Sequence, residues 1–225
     1  MNKILIFDIE SKISNEKFPN ATNISDEIIH ILNIIFNNGQ IVKYLISTNI
    51  INPIDNLIVK NVNSESELLL EWCNLLREIN PDSIIGYNIC GYHFEYIKNR
   101  VDTITKTTVD NIFAKLFYSH NDLFWQEEIV KRTTLGIIWK KYFQFRNAKI
   151  IDIYLTLQQK DGFNKLLQSY KLDKMVERFL QQKIQNTFYK DKLQKLMSGS
   201  IDEKTDMINE CVNTIMYIYE LMQFI

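Results

Sequence analysis

Two carboxylates lie close together near the start of the chain. Residues 4–10 read ILIFDIE, an apolar run that ends in Asp8, Ile9 and Glu10. Strand side chains alternate between faces, so Asp8 and Glu10 point to the same side of a strand. Like charges placed this way repel unless a cation lies between them, and Mg²⁺ is a hard cation that takes carboxylate oxygens. The pattern indicates a metal site, or alternatively two solvated acids where a strand ends.

The composition is that of an ordinary globular protein. Of 225 residues, 46% are hydrophobic and 24% charged, and the net charge is −1. Dedicated DNA-binding domains tend to be basic, so only a local basic groove is compatible with this balance. The three cysteines, Cys73, Cys90 and Cys211, are too far apart for a zinc motif and indicate buried thiols in a reducing compartment. No apolar run reaches the about 18 residues of a membrane span. We therefore expect an intracellular protein, in the cytoplasm or nucleus, with no membrane contact.

The elements that must position the acid pair follow from hydrophobic patterning. Residues 3–9, 26–38 and 40–48 read as strands, and the last two flank an Asn37-Asn38-Gly39 turn that is typical of a hairpin. Ser64 and Glu67 have the spacing of a capping box that opens a helix ending near Asn80. Pro81 then breaks the helix, and the next segments read as a buried strand at 82–88 and a short helix at 91–100.

The second half of the chain is predicted to be mostly helical. Residues 104–146 carry no clear pattern, and residues 148–154 read as a strand. Helices are predicted at 154–161, 172–182 and 188–198, and a last one opens at the Ser200 to Glu203 capping box. Strands first, then strand–helix alternation, indicate an α/β fold with a mixed sheet flanked by helices. Gly and Pro are scarce and no linker stands out, so residues 1–225 are predicted to form a single domain.

Four stretches of the chain form an ordered set of motifs. The first is FDIES with FPNA and DEIIHI after it, and the second is the NPDSIIGYN segment followed by GYHFEYIKNR. The third is IIDIY at 150–154 followed by SYKLDKMVERFL, and the fourth is the final helix around Cys211. Together they cover almost the whole chain and resemble a known family, the 3′–5′ proofreading exonuclease domain of family B DNA polymerases, which has an RNase H-like fold.

The resemblance implies a two-metal phosphodiesterase site. In such domains four carboxylates hold two divalent metals, Mg²⁺ or Mn²⁺, which activate a water and stabilise the leaving oxygen. Asp8 and Glu10 match the first two carboxylates and are thereby implied as catalytic, metal-binding residues. Asn88 matches a residue that contacts the single-stranded 3′ end, and Tyr92 matches the aromatic residue of the family's aromatic–Asp pair, so both are expected to bind nucleic acid.

The other two carboxylates of the family pattern are missing here. His93 stands at the position of one of them and is either a transition-metal ligand or a residue that fills a vacated position. Glu210 and Thr214 stand where the family has a Tyr and an Asp. Glu95, Asp206 and Glu210 are weighed as replacements. A residue that the family keeps, Asp152, is interpreted as a buried structural acid.

A basic and aromatic segment offers a second route to nucleic acid. Residues 139–146 read WKKYFQFR, and Lys140, Lys141 and Arg146 could contact phosphates while the rings stack on bases. An amphipathic segment packed on the core would give the same pattern.

Three functions remain open from the sequence. The first is an exonuclease-fold protein, in effect a pseudoenzyme, that binds nucleic acid with weakened or lost 3′–5′ exonuclease activity. The second is an active exonuclease with an altered metal site that includes His93. The third is a non-catalytic module that binds a partner in DNA replication. Polymerase activity is not expected from these 225 residues alone, whether they are free-standing or a piece of a larger polymerase.

Overall fold

The computed structural model describes residues 3–14, 18–107, 117–118, 122–133, 136–160, 169–184 and 189–224. The strands in these ranges are β1 Ile4–Ser11, β2 Ile28–Asn37, β3 Gln40–Ser47, β4 Leu57–Asn61, β5 Ser83–Gly86, β6 Leu123–Thr133, β7 Gly136–Phe145 and β8 Lys149–Asp152. The helices are α1 Glu65–Ile79, α2 Phe94–Thr107, α3 Ile153–Lys160, α4 Leu172–Leu180, α5 Tyr189–Ser198 and α6 Ile201–Met222. A short π-helical segment, Ile89–His93, leads into α2.

Six strands form one mixed sheet in the order β4-β3-β2-β1-β5-β8. Strands β1, β2 and β3 pair antiparallel, whereas β5 pairs parallel with both β1 and β8. The predicted mixed α/β sheet flanked by helices is confirmed, and its arrangement is consistent with the RNase H-like fold. That residues 1–225 form one domain stays a prediction.

Strand β1 lies inside the sheet and is covered on both faces. Its residues Leu5, Phe7 and Ile9 pack into the core formed with α1 and α2, while Ile6 packs into the core on the other face, formed with α3 to α6. Burial on both faces explains why ILIF is continuously apolar rather than alternating. Asp8 and Glu10 lie on the Ile6 side, because side chains alternate along the strand.

The local signals in the sequence mostly produce the expected elements. Asn38 and Gly39 both have positive φ, 54° and 81°, and Asn37 pairs with Gln40, as expected for a two-residue hairpin loop. The capping box of α6 forms completely between Ser200 and Glu203.

The cap of α1 differs from the sequence prediction, and three strands were not predicted. Ser64 accepts a hydrogen bond from the Glu67 N–H, but the Glu67 carboxylate bonds the Asn63 N–H instead of returning to Ser64, so only half of the capping box forms. Strand β4 was not predicted from its pattern. Within residues 104–146, which carried no clear pattern, β6 and β7 form a separate two-stranded ribbon.

None of the helices in the described ranges combines the length and the hydropathy needed to cross a membrane.

Candidate active site

The acid pair lies where β1 ends. The pairing with β2 places Asp8 opposite Leu32 and Glu10 opposite His30, and the register shifts directly after Glu10. The side chain of Asp8 is 24% exposed and that of Glu10 only 9%. The two carboxylates thus share one side of the strand, as the sequence predicts, but Glu10 lies deeper in the protein.

His93 contacts Asp8. Its Nε2 lies 3.3 Å from Asp8 Oδ1, and its ring meets the edge of the Phe7 ring at a centroid distance of 6.2 Å. The π-helical segment carries His93 to this place directly after β5, the strand that pairs with β1. The other ring nitrogen, Nδ1, is buried and has no hydrogen-bond partner among the described residues. His93, which stands where the resemblance has a metal-binding carboxylate, therefore lies beside Asp8.

Glu10 is contacted by two side chains from the last quarter of the chain. The Lys192 ammonium pairs with Glu10 Oε1, and the Cys211 thiol lies 3.6 Å from the same oxygen. Burial alone would lower the pKa of Lys192, but the charge of Glu10 outweighs it and holds that pKa well above its usual value. Burial raises the pKa of Cys211 to about 12, so the thiol is protonated and donates to the carboxylate.

Sequence reasoning missed Lys192. It lies four residues before Leu196 on α5, and Leu196 is fully buried, so the two side chains share one helix face. A lysine on an apolar helix face is a signal of a buried ion pair, but the helix alone does not identify its partner.

Asp152 holds the segment that presents His93. Its carboxylate accepts hydrogen bonds from the backbone N–H groups of Asn88 at 2.9 Å, Cys90 at 2.8 Å and Leu155 at 3.3 Å. Burial raises the pKa of Asp152, and the three backbone donors oppose that shift. Only 3% exposed, the residue fits the structural role predicted for it and ties the start of α3 to the segment before α2.

Asn88 and Tyr92 flank His93 in the same segment. Asn88 has a φ of 59°, and a Cβ atom added at Gly91 would lie 2.3 Å from its Oδ1, so a larger residue there would displace the Asn88 side chain. Tyr92 packs at 5.4 Å from the His93 ring, and burial raises the pKa of its hydroxyl to about 12 although a hydrogen bond with Ser11 opposes this. Tyr92 therefore lies beside His93, and Asn88 comes directly before the same segment.

The candidate replacement carboxylates do not lie against Asp8 or Glu10. Asp206 is exposed, and Glu95 forms an ion pair with Lys141 at 2.8 Å. Thr214 donates its hydroxyl to the Glu210 carbonyl of its own helix, and both residues line a groove of about 280 Å³ with Lys183. Of α6, it is Cys211 that the structure brings to Glu10.

The basic residues of the aromatic segment lie apart from one another. Lys140 and Lys141 are neighbours on β7 and so face opposite sides of the ribbon. Lys140 lies 4.6 Å above the Tyr142 ring and lines a groove with Lys149, whereas Arg146 bonds Asn80 at 2.8 Å. The three cations do not form one continuous patch.

The donor set does not fit a two-metal centre. In the described part of the chain, no three His, Cys, Asp or Glu side chains are grouped so that they could hold a metal ion. Two Mg²⁺ ions carry four positive charges, and Asp8 and Glu10 supply two negative ones. Glu10 Oε1 is also already taken by an ammonium and a thiol.

Comparisons with known proteins agree with this architecture. The family model described as "DNA polymerase family B, exonuclease domain" matches residues 2–175. The DNA polymerase catalytic subunit of Alcelaphine herpesvirus 1 (strain C500) is 29% identical over 98% of this chain and 21% of its own length. The corresponding subunit of Human herpesvirus 6B (strain Z29) is 29% identical over 86% of this chain and 19% of its own length.

A third relative is the DNA polymerase delta catalytic subunit of Oryza sativa subsp. japonica, which is 33% identical over 45% of this chain and 9% of its own length. The chain thus spans about a fifth or less of each relative named. The family match extends from β1 into α4 and includes Asp8, Glu10 and the segment that carries His93. The chain belongs to the exonuclease-domain family of the family B DNA polymerases.

Proposed function

We propose that this domain binds the 3′ end of single-stranded DNA and that its magnesium-dependent 3′–5′ exonuclease activity is weakened or lost. Exonuclease domains of this family generally depend on divalent metals. One observation carries the proposal: among the described residues, two carboxylates and no third converge at the end of β1, and the neighbours of Asp8 and Glu10 are His93, Cys211 and Lys192. Loss of catalytic groups that act as a unit typically costs several orders of magnitude in rate.

The test is 3′–5′ degradation of end-labelled single-stranded DNA, in Mg²⁺ and separately in Mn²⁺. We expect the wild-type protein to release label no faster than Asp8→Asn purified in the same way. Asp8→Asn is the better control for contaminating nuclease, because a change at Glu10 would leave the Lys192 ammonium without its carboxylate. A wild-type rate in Mg²⁺ that Asp8→Asn lowers by several orders of magnitude would overturn the proposal, because a weakened site has no such rate to lose.

Binding of DNA is a separate part of the proposal. Asn88 and Tyr92, in and directly before the segment that carries His93, are the proposed contacts to the 3′ end, and Lys140, Lys141 and Arg146 are the proposed phosphate contacts. We expect the triple Gln variant of these cations to bind a labelled oligonucleotide more weakly in EDTA. The slope of log affinity against log salt should fall by about 0.7 for each phosphate contact that is lost, hence by about 0.7 to 1.4, because DNA along one side of the ribbon meets only one of Lys140 and Lys141.

The two faces of β7 supply matched variants for this measurement. Lys140→Gln and Lys141→Gln remove the same charge from neighbouring positions on opposite sides of the ribbon. The variant with the larger loss of affinity identifies the side along which DNA lies. An unchanged slope in the triple variant would count against all three contacts.

A second candidate is an active exonuclease with an altered site that prefers Mn²⁺. The observation that favours it is His93, which lies 3.3 Å from Asp8 and has a buried Nδ1 with no hydrogen-bond partner among the described residues. The Mn²⁺ arm of the assay decides between the two candidates, since activity lost in both Asp8→Asn and His93→Gln supports this one.

The setting of the domain is inferred from its relatives. They are named as viral and eukaryotic DNA polymerase subunits, so we propose an intracellular role near replicating DNA. If oligonucleotide binding is absent, a replication protein becomes the proposed partner, and the domain is then a non-catalytic interaction module.

A further inference from the structure

Lys192 occupies the side of Glu10 that faces α5 and α6. Its ammonium pairs with Glu10 Oε1 across 182 residues of sequence, and the Cys211 thiol donates to the same oxygen. The Lys192 side chain is 19% exposed and the Glu10 side chain 9%, so the ion pair is largely withdrawn from water. A buried carboxylate needs a partner of opposite charge, because an unpaired buried charge is strongly unfavourable.

The neighbouring carboxylate also has a basic neighbour from the chain itself. His93 Nε2 lies 3.3 Å from Asp8 Oδ1. Asp8 also contributes to the field that favours the charged form of Lys192. One ammonium thus lies within the field of both acids, where a divalent cation would otherwise balance them.

We propose that the Lys192 ammonium is a built-in substitute for a divalent cation, so that the acid pair is charge-balanced without metal. The inference rests on the proposed function, since it explains how the fold tolerates the acid pair after the other metal ligands are lost. Removal of the ammonium, with both carboxylates retained, should therefore open a divalent-cation site.

The experiment compares Lys192→Met with the wild type by thermal unfolding in EDTA and in 5 mM Mn²⁺, with Mn²⁺ binding measured directly by electron paramagnetic resonance. Methionine keeps the length of the stem and removes the charge. We expect Mn²⁺ to raise the Tm of Lys192→Met by about 4 °C, the shift for a ligand at about ten times its Kd in a domain of this size. The wild-type Tm should move by less than about 1 °C, because its cation position is filled.

Two further variants make the result specific. Lys195→Met removes a charge one turn along the same helix and should behave as the wild type does in Mn²⁺. Lys192→Met/Glu10→Gln removes both members of the pair, so it should unfold at a higher temperature than Lys192→Met in EDTA and should not respond to Mn²⁺. If Lys192→Met does not fold in EDTA, recovery of the fold on addition of Mn²⁺ supports the proposal.

Two results would overturn the proposal. Strong binding of Mn²⁺ to the wild type, abolished by Asp8→Asn, would mean that the ammonium does not fill the cation position. A Lys192→Met protein that neither binds Mn²⁺ nor is stabilised by it would mean that Lys192 is only a structural partner of Glu10. Neither readout uses nuclease activity, so failure here is distinguishable from failure of the proposed function, which the degradation assay decides.

Discussion

Two charge clusters with similar chemistry behave differently in this molecule. The first is the Arg100–Glu65 pair, in which Arg100 Nε lies 2.8 Å and Nη2 2.6 Å from the carboxylate oxygens of Glu65. Arg100 also donates to the backbone carbonyls of Ala21, Asn23 and Ile24. Glu65 in turn accepts the Ile28 N–H at 2.7 Å, so the polar atoms of this cluster are used from every side.

The second cluster is the acid pair with its basic neighbours. The side chains of Arg100 and Glu65 are 1% and 4% exposed, whereas Asp8 is 24% exposed and His93 retains an unpartnered ring nitrogen among the described residues. A buried ion pair contributes when hydrogen bonds satisfy its remaining atoms. The Arg100 cluster is therefore a fully hydrogen-bonded structural contact, whereas the Asp8 end of the acid pair remains partly exposed to solvent.

The largest expected effect breaks the completed cluster. Glu65→Ala leaves the Arg100 guanidinium buried without a counter-charge, and we expect the free energy of unfolding to fall by about 3–5 kcal/mol. Urea denaturation followed by circular dichroism measures it. The matched control is Asp102→Ala, which removes an exposed partner of Lys98 and should cost about 0.5 kcal/mol or less. A loss for Glu65→Ala no larger than that control would contradict the assigned role.

The next effect concerns His30, the residue opposite Glu10 on β2. Burial, with added repulsion from Lys192 and Lys204, lowers the pKa of His30 from 6.5 to about 3. Its Nε2 accepts from the Asn49 side chain, while Nδ1 has no partner among the described residues, so the ring is held neutral. The unfolded chain therefore binds a proton before the folded protein does as pH falls.

Because the pKa of His30 is lower in the folded protein than in the unfolded chain, the free energy of unfolding decreases as pH falls. The contribution of the neutral His30 to this free energy is fully present above about pH 6.5 and is lost as pH falls toward 3. Between pH 6.5 and 5 we expect a loss of about 2 kcal/mol, at about 1.4 kcal/mol per pH unit. Urea midpoints measured across this range should fall in the wild type and fall less in His30→Gln. Parallel curves for the two proteins would refute the assignment.

The smallest effect is expected at the open end of the second cluster. Asp8→Asn removes a charge that is partly exposed and contacted at 3.3 Å by His93. We expect the free energy of unfolding to change by no more than about 1 kcal/mol, because solvent screens this carboxylate. A loss of unfolding free energy similar to that of Glu65→Ala would mean that Asp8 is as important for stability as Glu65, which would contradict the difference between the two clusters.

The parts of the fold that were predictable carry their signals locally. The Asn37-Asn38-Gly39 turn, the apolar run of β1 and the Ser200 capping box each depend on a few adjacent residues. Strands β6 and β7 lack such a run, because charged residues face each other across the ribbon, as Glu127 does Lys141. The charged pairs across the ribbon take the place of an alternating apolar pattern. Such pairs cannot be recognised in the sequence of one strand alone.

The residues of the site also differ in whether their signal is local. Asp8, Glu10 and His93 were identified because each lies in a short segment that resembles a family motif. Lys192 and Cys211 reach Glu10 from 182 and 201 residues away, and their positions depend on how α5 and α6 pack against the sheet. The resemblance places Thr214 at the position of the family's last Asp, whereas the residue of α6 that contacts Glu10 is Cys211.

The late position of Lys192 in the chain also has a consequence for the kinetics of folding. Contacts over such a long sequence separation carry a large loop-closure entropy and tend to form after local structure. Contacts formed after the rate-limiting step slow unfolding and leave the folding rate nearly unchanged. We therefore expect Lys192→Met to raise the unfolding limb of a chevron plot while its refolding limb stays in place. The ion pair would then slow unfolding and so prolong the time for which α5 and α6 remain packed on the sheet.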